Sequence, residues 1–333
     1  MESNTIKFNN SINKNYKINN SRNNSTNSII YPSQRYNDKL RSKSENEINL
    51  NSIEDETNKY IEEMRKGTYN ILVAIRCRPL NQKEKEYSTY HTLNIINKKL
   101  IILKDPNGIH NINNNRSKEI TMAFDYAFDE YESQESIFNS TTKFLIDGVV
   151  NGFNATVFAY GATGAGKTYT MLGNEKEPGI MPLTLNELFN KIKSYPEREY
   201  TVKLWYLEIY NENIIDLLVN NSDNLELRED PNKGLIVNGI TEMVPKSSEH
   251  ILNILKKGNR NRTTESTNAN ETSSRSHAIL QIYIEIEEQL KSTLNKEKVF
   301  GKFVLIDLAG CEKTPVFGKK MQKVDQLIKV YWH

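Results

Sequence analysis

Apolar positions are scattered along the first 67 residues and ordered after them. Residues 1–67 are dominated by Asn, Ser, Lys and Ile with no sustained period. Such a segment buries too little apolar surface to offset its chain entropy, so it is expected to be a disordered Asn/Ser-rich arm, with residues 53–65 as its one candidate helix. From Tyr69 the texture changes. Ile71, Leu72, Val73, Ala74 and Ile75 form a continuous apolar run of strand length, stopped before Pro79. Comparable runs recur at residues 155–160, 202–210, 278–286 and 303–306. Runs apolar on both faces suit a sheet covered on both sides. Between them lie helical patterns. Ser133 is placed to cap a helix carrying Ile137, Phe138, Phe144 and Leu145, and Ser247 a second carrying Ile251, Leu252, Ile254 and Leu255, ended by Gly258. Strands alternating with helices predict an α/β domain. Residues 104–118, rich in Asn with Gly and Pro, read as a solvated loop within it. No heptad run appears, so nothing supports a dimerising coiled coil.

Composition narrows the class. The 333 residues, 38.5 kDa, suffice for one large domain or two modest ones. Lys and Arg total 44 against 42 Asp and Glu, a formal charge of +2. A nucleic-acid binder would carry a strongly basic footprint, so that partner is not expected. Cys77 and Cys311 stand far apart, with neither a disulfide framework nor a CxxC metal pair; both read as small buried or half-buried residues. The N-terminus has no apolar core of the kind a secretory signal needs, and no run reaches the length of a membrane span. The expectation is a soluble intracellular protein.

One octet carries chemistry. Gly161-Ala162-Thr163-Gly164-Ala165-Gly166-Lys167-Thr168 meets every fixed position of GxxxxGK[ST], and the apolar run 155–160 feeds directly into it. Glycines let backbone N–H groups curl around phosphate oxygens, and the helix that follows presents its positive end. Lys167 adds a cation for the β- and γ-phosphates, and Thr168 a hydroxyl for Mg²⁺. The competing reading, a chance glycine-rich turn, requires all fixed positions to coincide directly after a strand. Asp307, ending an apolar strand, is placed to hold the Mg²⁺ hydration shell through water, and Gly310 offers a bare N–H to a γ-phosphate. Asn270-Glu271-Thr272-Ser273-Ser274-Arg275-Ser276-His277 packs hydroxyls and an arginine into one short segment, which alone is equally a polar turn before the next strand.

In this order the three segments resemble the P-loop, switch I and switch II of kinesin motor domains. The resemblance covers residues 70–322 and includes Arg76-Cys77-Arg78-Pro79, Phe158-Ala159-Tyr160 and Leu207-Glu208-Ile209-Tyr210-Asn211-Glu212. It implies an α/β P-loop fold with a central, mostly parallel sheet and helices on both faces, incomplete at the C-terminus. It implies a microtubule-stimulated, Mg²⁺-dependent ATPase, with ATP and Mg²⁺ as cofactors and tubulin as partner, in the cytoplasm on the microtubule cytoskeleton. By position, Arg76 and Pro79 would border the adenine, with Tyr169 stacked on it, and Asn270 would belong to the nucleotide site. Ser274 would join Thr168 around Mg²⁺, and Ser273 would place the attacking water. Arg275 and Glu312 would form the ion pair that closes over the γ-phosphate. Cys311 stands where the family usually has Ser. Residues 225–244 resemble the hairpin lobe that touches tubulin, with Lys233 near its tip. Within the family, Met171-Leu172-Gly173, Arg228-Glu229-Asp230, Lys246-Ser247-Ser248-Glu249 and Gly258-Asn259-Arg260-Asn261-Arg262-Thr263 are most similar to kinesin-8 motors.

After Gln322 the similarity stops. Residues 323–333 do not read like the family, yet back-translation with permitted synonymous codons, read one base out of frame, yields its INxSLxALG signature. A single-base frameshift near Gln322 is therefore expected, and sequencing the DNA there tests it. This leaves two functional expectations, a microtubule motor and a non-motile nucleotide-binding fragment. A GTPase is disfavoured because no NKxD-type guanine motif is found, and a P-loop kinase because it would need a separate acceptor site.

Overall fold

The computed structural model describes residues 71–87, 92–104, 119–220, 222–230, 234–245, 247–264, 275–289 and 296–311. The arm at 1–67 with its candidate helix, most of the 104–118 loop and the 323–333 tail lie outside the described residues. In chain order the first elements are β1 (Ala74–Arg76), α1 (Gln82–Tyr87), β2 (Leu93–Ile96), β3 (Leu100–Lys104), β4 (Glu119–Ala123) and β5 (Tyr126–Phe128). There follow α2 (Gln134–Thr141), α3 (Lys143–Val149), β6 (Asn154–Ala159), α4 (Lys167–Met171), α5 (Ile180–Lys193), β7 (Arg198–Tyr210) and β8 (Asn213–Asp216). The last are β9 (Glu226–Asp230), β10 (Gly234–Asn238), α6 (Ser248–Thr264), β11 (Ser276–Gln289) and β12 (Lys296–Asp307).

The main sheet has the order β6-β12-β11-β7-β8. Only β6 and β12 run parallel; β12–β11, β11–β7 and β7–β8 are antiparallel. The α/β class holds, but the expected parallel majority does not hold among the described strands. Apolar runs record burial and not direction, and the short β7–β8 and β11–β12 connections force antiparallel neighbours. On one face Leu204, Tyr206, Leu280, Ile282, Phe303 and Leu305 pack against Ile146, Met181, Leu185, Ile251 and Leu255 of the helices. The other face bears a smaller core of Leu207, Ile209, Ile279, Val304 and Ile306, packed with Leu227 and Val237 of the β9–β10 hairpin. Among the described residues that second face therefore carries a hairpin where helices were expected.

Local expectations fared unevenly. Ser133 does cap α2, its hydroxyl accepting from the Ser136 N–H at 3.1 Å, but the chain breaks at Thr142 and resumes as α3. Ser247 accepts from the His250 N–H at 3.2 Å at the start of α6. Gly258 does not end α6. A β-carbon there would lie 2.5 Å from the buried Tyr206 ring, so the glycine serves close packing in mid-helix. The run at 71–75 gives only the short β1, paired in parallel with β5. Lys104 closes β3 and pairs with Glu119 at 3.5 Å instead of opening a loop. Cys77 is half-buried as expected, whereas Cys311 is exposed.

Candidate functional site

The octet 161–168 leaves the tip of β6 and enters α4. Gly164 and Gly166 take φ of +77° and +91°, left-handed values that side chains resist, so the loop's curl depends on glycine at both. The Lys167 ammonium, largely buried, donates to the Gly161 and Ala162 carbonyls at 3.0 and 2.9 Å and closes the loop on itself. Thr168 donates its hydroxyl to Asp307 Oδ2 at 2.7 Å. Asp307 is the last residue of β12, and β12 neighbours β6, so the parallel pair delivers loop and carboxylate to one end of the sheet.

Asp307 is fully buried and held by a residue that motif reading did not single out as functional. Arg262 of α6 donates to the same Oδ2 at 2.7 Å and approaches Glu208 Oε1 at 3.4 Å. It also donates to the Ser276 carbonyl and hydroxyl at 3.3 and 3.4 Å. The sheet register explains the bridge: Glu208, Ala278 and Asp307 lie in one row, with a small methyl between the two carboxylates. Two strand spacings separate those acids by about 10 Å, a gap the guanidinium spans above Ala278. Burial pulls the Arg262 pKa down, but Asp307, Tyr206 and Glu208 together outweigh it and leave the group above its ordinary value. The signal was in the sequence. Ile251, Leu255, Gly258 and Arg262 recur at helical spacing, so the arginine sits on the core stripe, where a charge must be partnered.

Leu308 to Cys311 cross toward the phosphate loop, where the Cys311 N–H donates to the Gly161 carbonyl at 3.1 Å. The Ala309 N–H donates to His277 Nδ1 at 3.1 Å. On the far side of the loop, Arg76 lies over the Tyr169 ring at 5.0 Å and donates to Gln134 and Thr170 at 2.7 and 2.9 Å. Burial lowers the Arg76 pKa, while the Tyr169 hydroxyl is bonded to Glu177. Pro79 is exposed nearby in sequence. Buried Gln134 was a second omission from the sequence reading. Arg275 is exposed at the head of β11, whereas Asn270, Ser273, Ser274 and Glu312 lie outside the described residues. The 225–244 lobe is the β9–β10 hairpin, and Lys233 at its tip lies outside them too.

The residues present fit a hydrated divalent cation. Asp307 Oδ1 is buried without a hydrogen-bond partner, and the Thr168 hydroxyl stands on the same carboxylate. A glycine loop closed by a lysine, facing an aspartate at the tip of the adjacent parallel strand, defines a P-loop nucleotide-binding fold. The kinesin motor domain family matches residues 76–330, and the chain belongs to that family. Kinesin-like protein KIF19 of Homo sapiens is 44% identical over 262 residues, covering 77% of this chain and 26% of that protein. KIF18A of Mus musculus is 42% identical over 265 residues, covering 76% and 30%. KIN-8B of Arabidopsis thaliana is 41% identical over 263 residues, covering 78% and 31%. These relatives are kinesin-8 members, in line with the sequence resemblance. The chain thus spans between 26% and 31% of their own length. A solved structure of a fast kinesin, described with its ATPase mechanism and interactions with microtubules, aligns with a TM-score of 0.65 at 33% identity, over 78% of this chain and 71% of that one.

Proposed function

We propose that this chain is a microtubule motor domain that binds ATP with Mg²⁺ in the 161–168 loop and hydrolyses it, with turnover stimulated by microtubules. The observation that carries the reading is the Thr168–Asp307 contact of 2.7 Å beside the loop that Lys167 closes. Lys167 would release the Gly161 and Ala162 carbonyls to meet β- and γ-phosphate oxygens. Thr168 and, through water, Asp307 would hold Mg²⁺, which when bound neutralises charge on those oxygens. Ser274 would complete that set and Ser273 would place the attacking water, while Arg275 and Glu312 would latch over the γ-phosphate together with the Gly310 N–H. Arg76, Pro79, Tyr169 and Asn270 would border the base and its phosphates, with Gln134 bracing Arg76. The β9–β10 lobe with Lys233 would meet tubulin, and the protein would then act on the microtubule cytoskeleton.

Phosphate release by the purified full chain, with and without polymerised tubulin, tests this. ATP turnover should rise severalfold or more on microtubules and vanish in Lys167→Ala. Turnover that survives that substitution, or is indifferent to microtubules, would sink the reading.

A further inference from the structure

The β11–β12 ladder ends at the pair Ala278↔Asp307. Beyond it the chain must diverge, because Leu308 packs into the second core and Cys311 is bound to Gly161 of the phosphate loop. A further backbone rung would draw residues 308–310 along β11 and away from that loop. A side chain takes over instead: the buried Ala309 N–H donates to His277 Nδ1 at 3.1 Å. Gly310 is thereby slung between two tethers, Ala309 on His277 and Cys311 on Gly161.

An accepting Nδ1 requires the neutral ring with its proton on Nε2. Nε2 is itself buried with no hydrogen-bond partner, so Nδ1 carries the ring's visible polar contact. Burial, and then the Arg262 charge, push the His277 pKa down to about 4, which keeps Nδ1 an acceptor at neutral pH.

We propose that His277 is a positioning residue that fixes the Ala309 N–H and thereby sets where Gly310 meets the phosphate loop, so that it governs preference for a γ-phosphate and not nucleotide binding as such. The inference rests on the nucleotide reading above. Of the two tethers, Cys311 on Gly161 must yield for the Gly310 N–H to reach a γ-phosphate, and the His277 contact is the pivot that remains.

The test uses the purified full chain and measures the affinity of fluorescent ADP, and of the β,γ-imido ATP analogue by competition. His277→Leu keeps much of the volume without an acceptor. Its ADP affinity should stay within about twofold of the parent, while preference for the analogue over ADP falls about tenfold, the worth of one buried hydrogen bond. His277→Asn, whose Oδ1 stands near the place of Nδ1, should restore the preference; His277→Gln, whose acceptor falls nearer Nε2, should not. An unchanged preference in His277→Leu overturns the proposal, and so does an equal loss of both nucleotides, which marks a structural role. If His277→Leu does not fold, the Asn and Gln variants decide, and rescue by Gln alone overturns it. A parent that binds neither nucleotide removes the nucleotide reading itself, and this inference with it.

Discussion

Replacing Arg262 by Met would leave Asp307 and Glu208 inside the protein without their common cation. The guanidinium is 3% exposed, Asp307 0% and Glu208 2%, so water cannot take its place. Removing one partner of a buried ion pair costs about 3–5 kcal/mol, mostly because the surviving charge is stranded. Met preserves much of the volume, so packing contributes little to the expected loss. The pH dependence separates the two causes. Stranded carboxylates favour their neutral form and take up protons in the folded state, so the variant's deficit should be widest near pH 8 and narrow toward pH 5. Equilibrium urea unfolding followed by circular dichroism at both pH values gives the two differences. Arg262→Met combined with Glu208→Gln should recover at least about 1 kcal/mol of the loss at pH 8. A deficit under about 1 kcal/mol, or one that does not change with pH, would refute the account of Arg262 as a buried bridge.

Three further outcomes follow from other contacts. Gly258→Ala gains about 1 kcal/mol of helix propensity but pushes a methyl into the Tyr206 ring, so a net loss of about 1–3 kcal/mol is expected; a thermal midpoint equal to or above the parent's would contradict it. The His277 pKa falls from an ordinary 6.5 to about 4 on folding, so its contribution is complete above pH 6.5 and is lost as pH drops toward 4. That amounts to about 3 kcal/mol, and unfolding of the parent against His277→Asn across this window should reveal a difference of that size and sign. In the parent, chelating Mg²⁺ should speed release of a fluorescent nucleotide at least about tenfold, whereas Asp307→Asn should release fast with or without chelator; equal chelator sensitivity in both would remove Asp307 from the metal's environment.

Much of the site could be read because phosphate binding constrains the backbone, and the backbone constrains the sequence. A loop needing left-handed turns at Gly164 and Gly166 announces itself, and a strand ending in Asp307 needs only its apolar run to be seen. What escaped depends on facing. Arg262 and Glu208 look like surface charges until the stripe on α6 and the alternation along β7, which puts Glu208 on the face of Leu204 and Tyr206, are followed residue by residue. Gly258 was read as a helix stop because a glycine's local cost is visible in sequence, while the ring pressing on it comes from a strand 52 residues earlier. Strand direction escaped for a related reason: burial says which residues are inside, and only the connections say which way the chain enters.

The twelve-residue pairing of β11 with β12 has a mechanical side. Its nucleotide end carries His277 and Asp307, and β7 stiffens the same length by pairing along β11 from Ser276 to Glu288. Lys298 lies 2.6 and 2.7 Å from Glu285 and Glu287, pinning the far end against fraying. At strand rise the plank is about 40 Å long, so a tilt of about 5° at the phosphate loop sweeps its other end through about 3 Å. A sheet braced in this way would act as a rocker beam, turning an adjustment the size of a lost phosphate contact at one end into a larger displacement at the other.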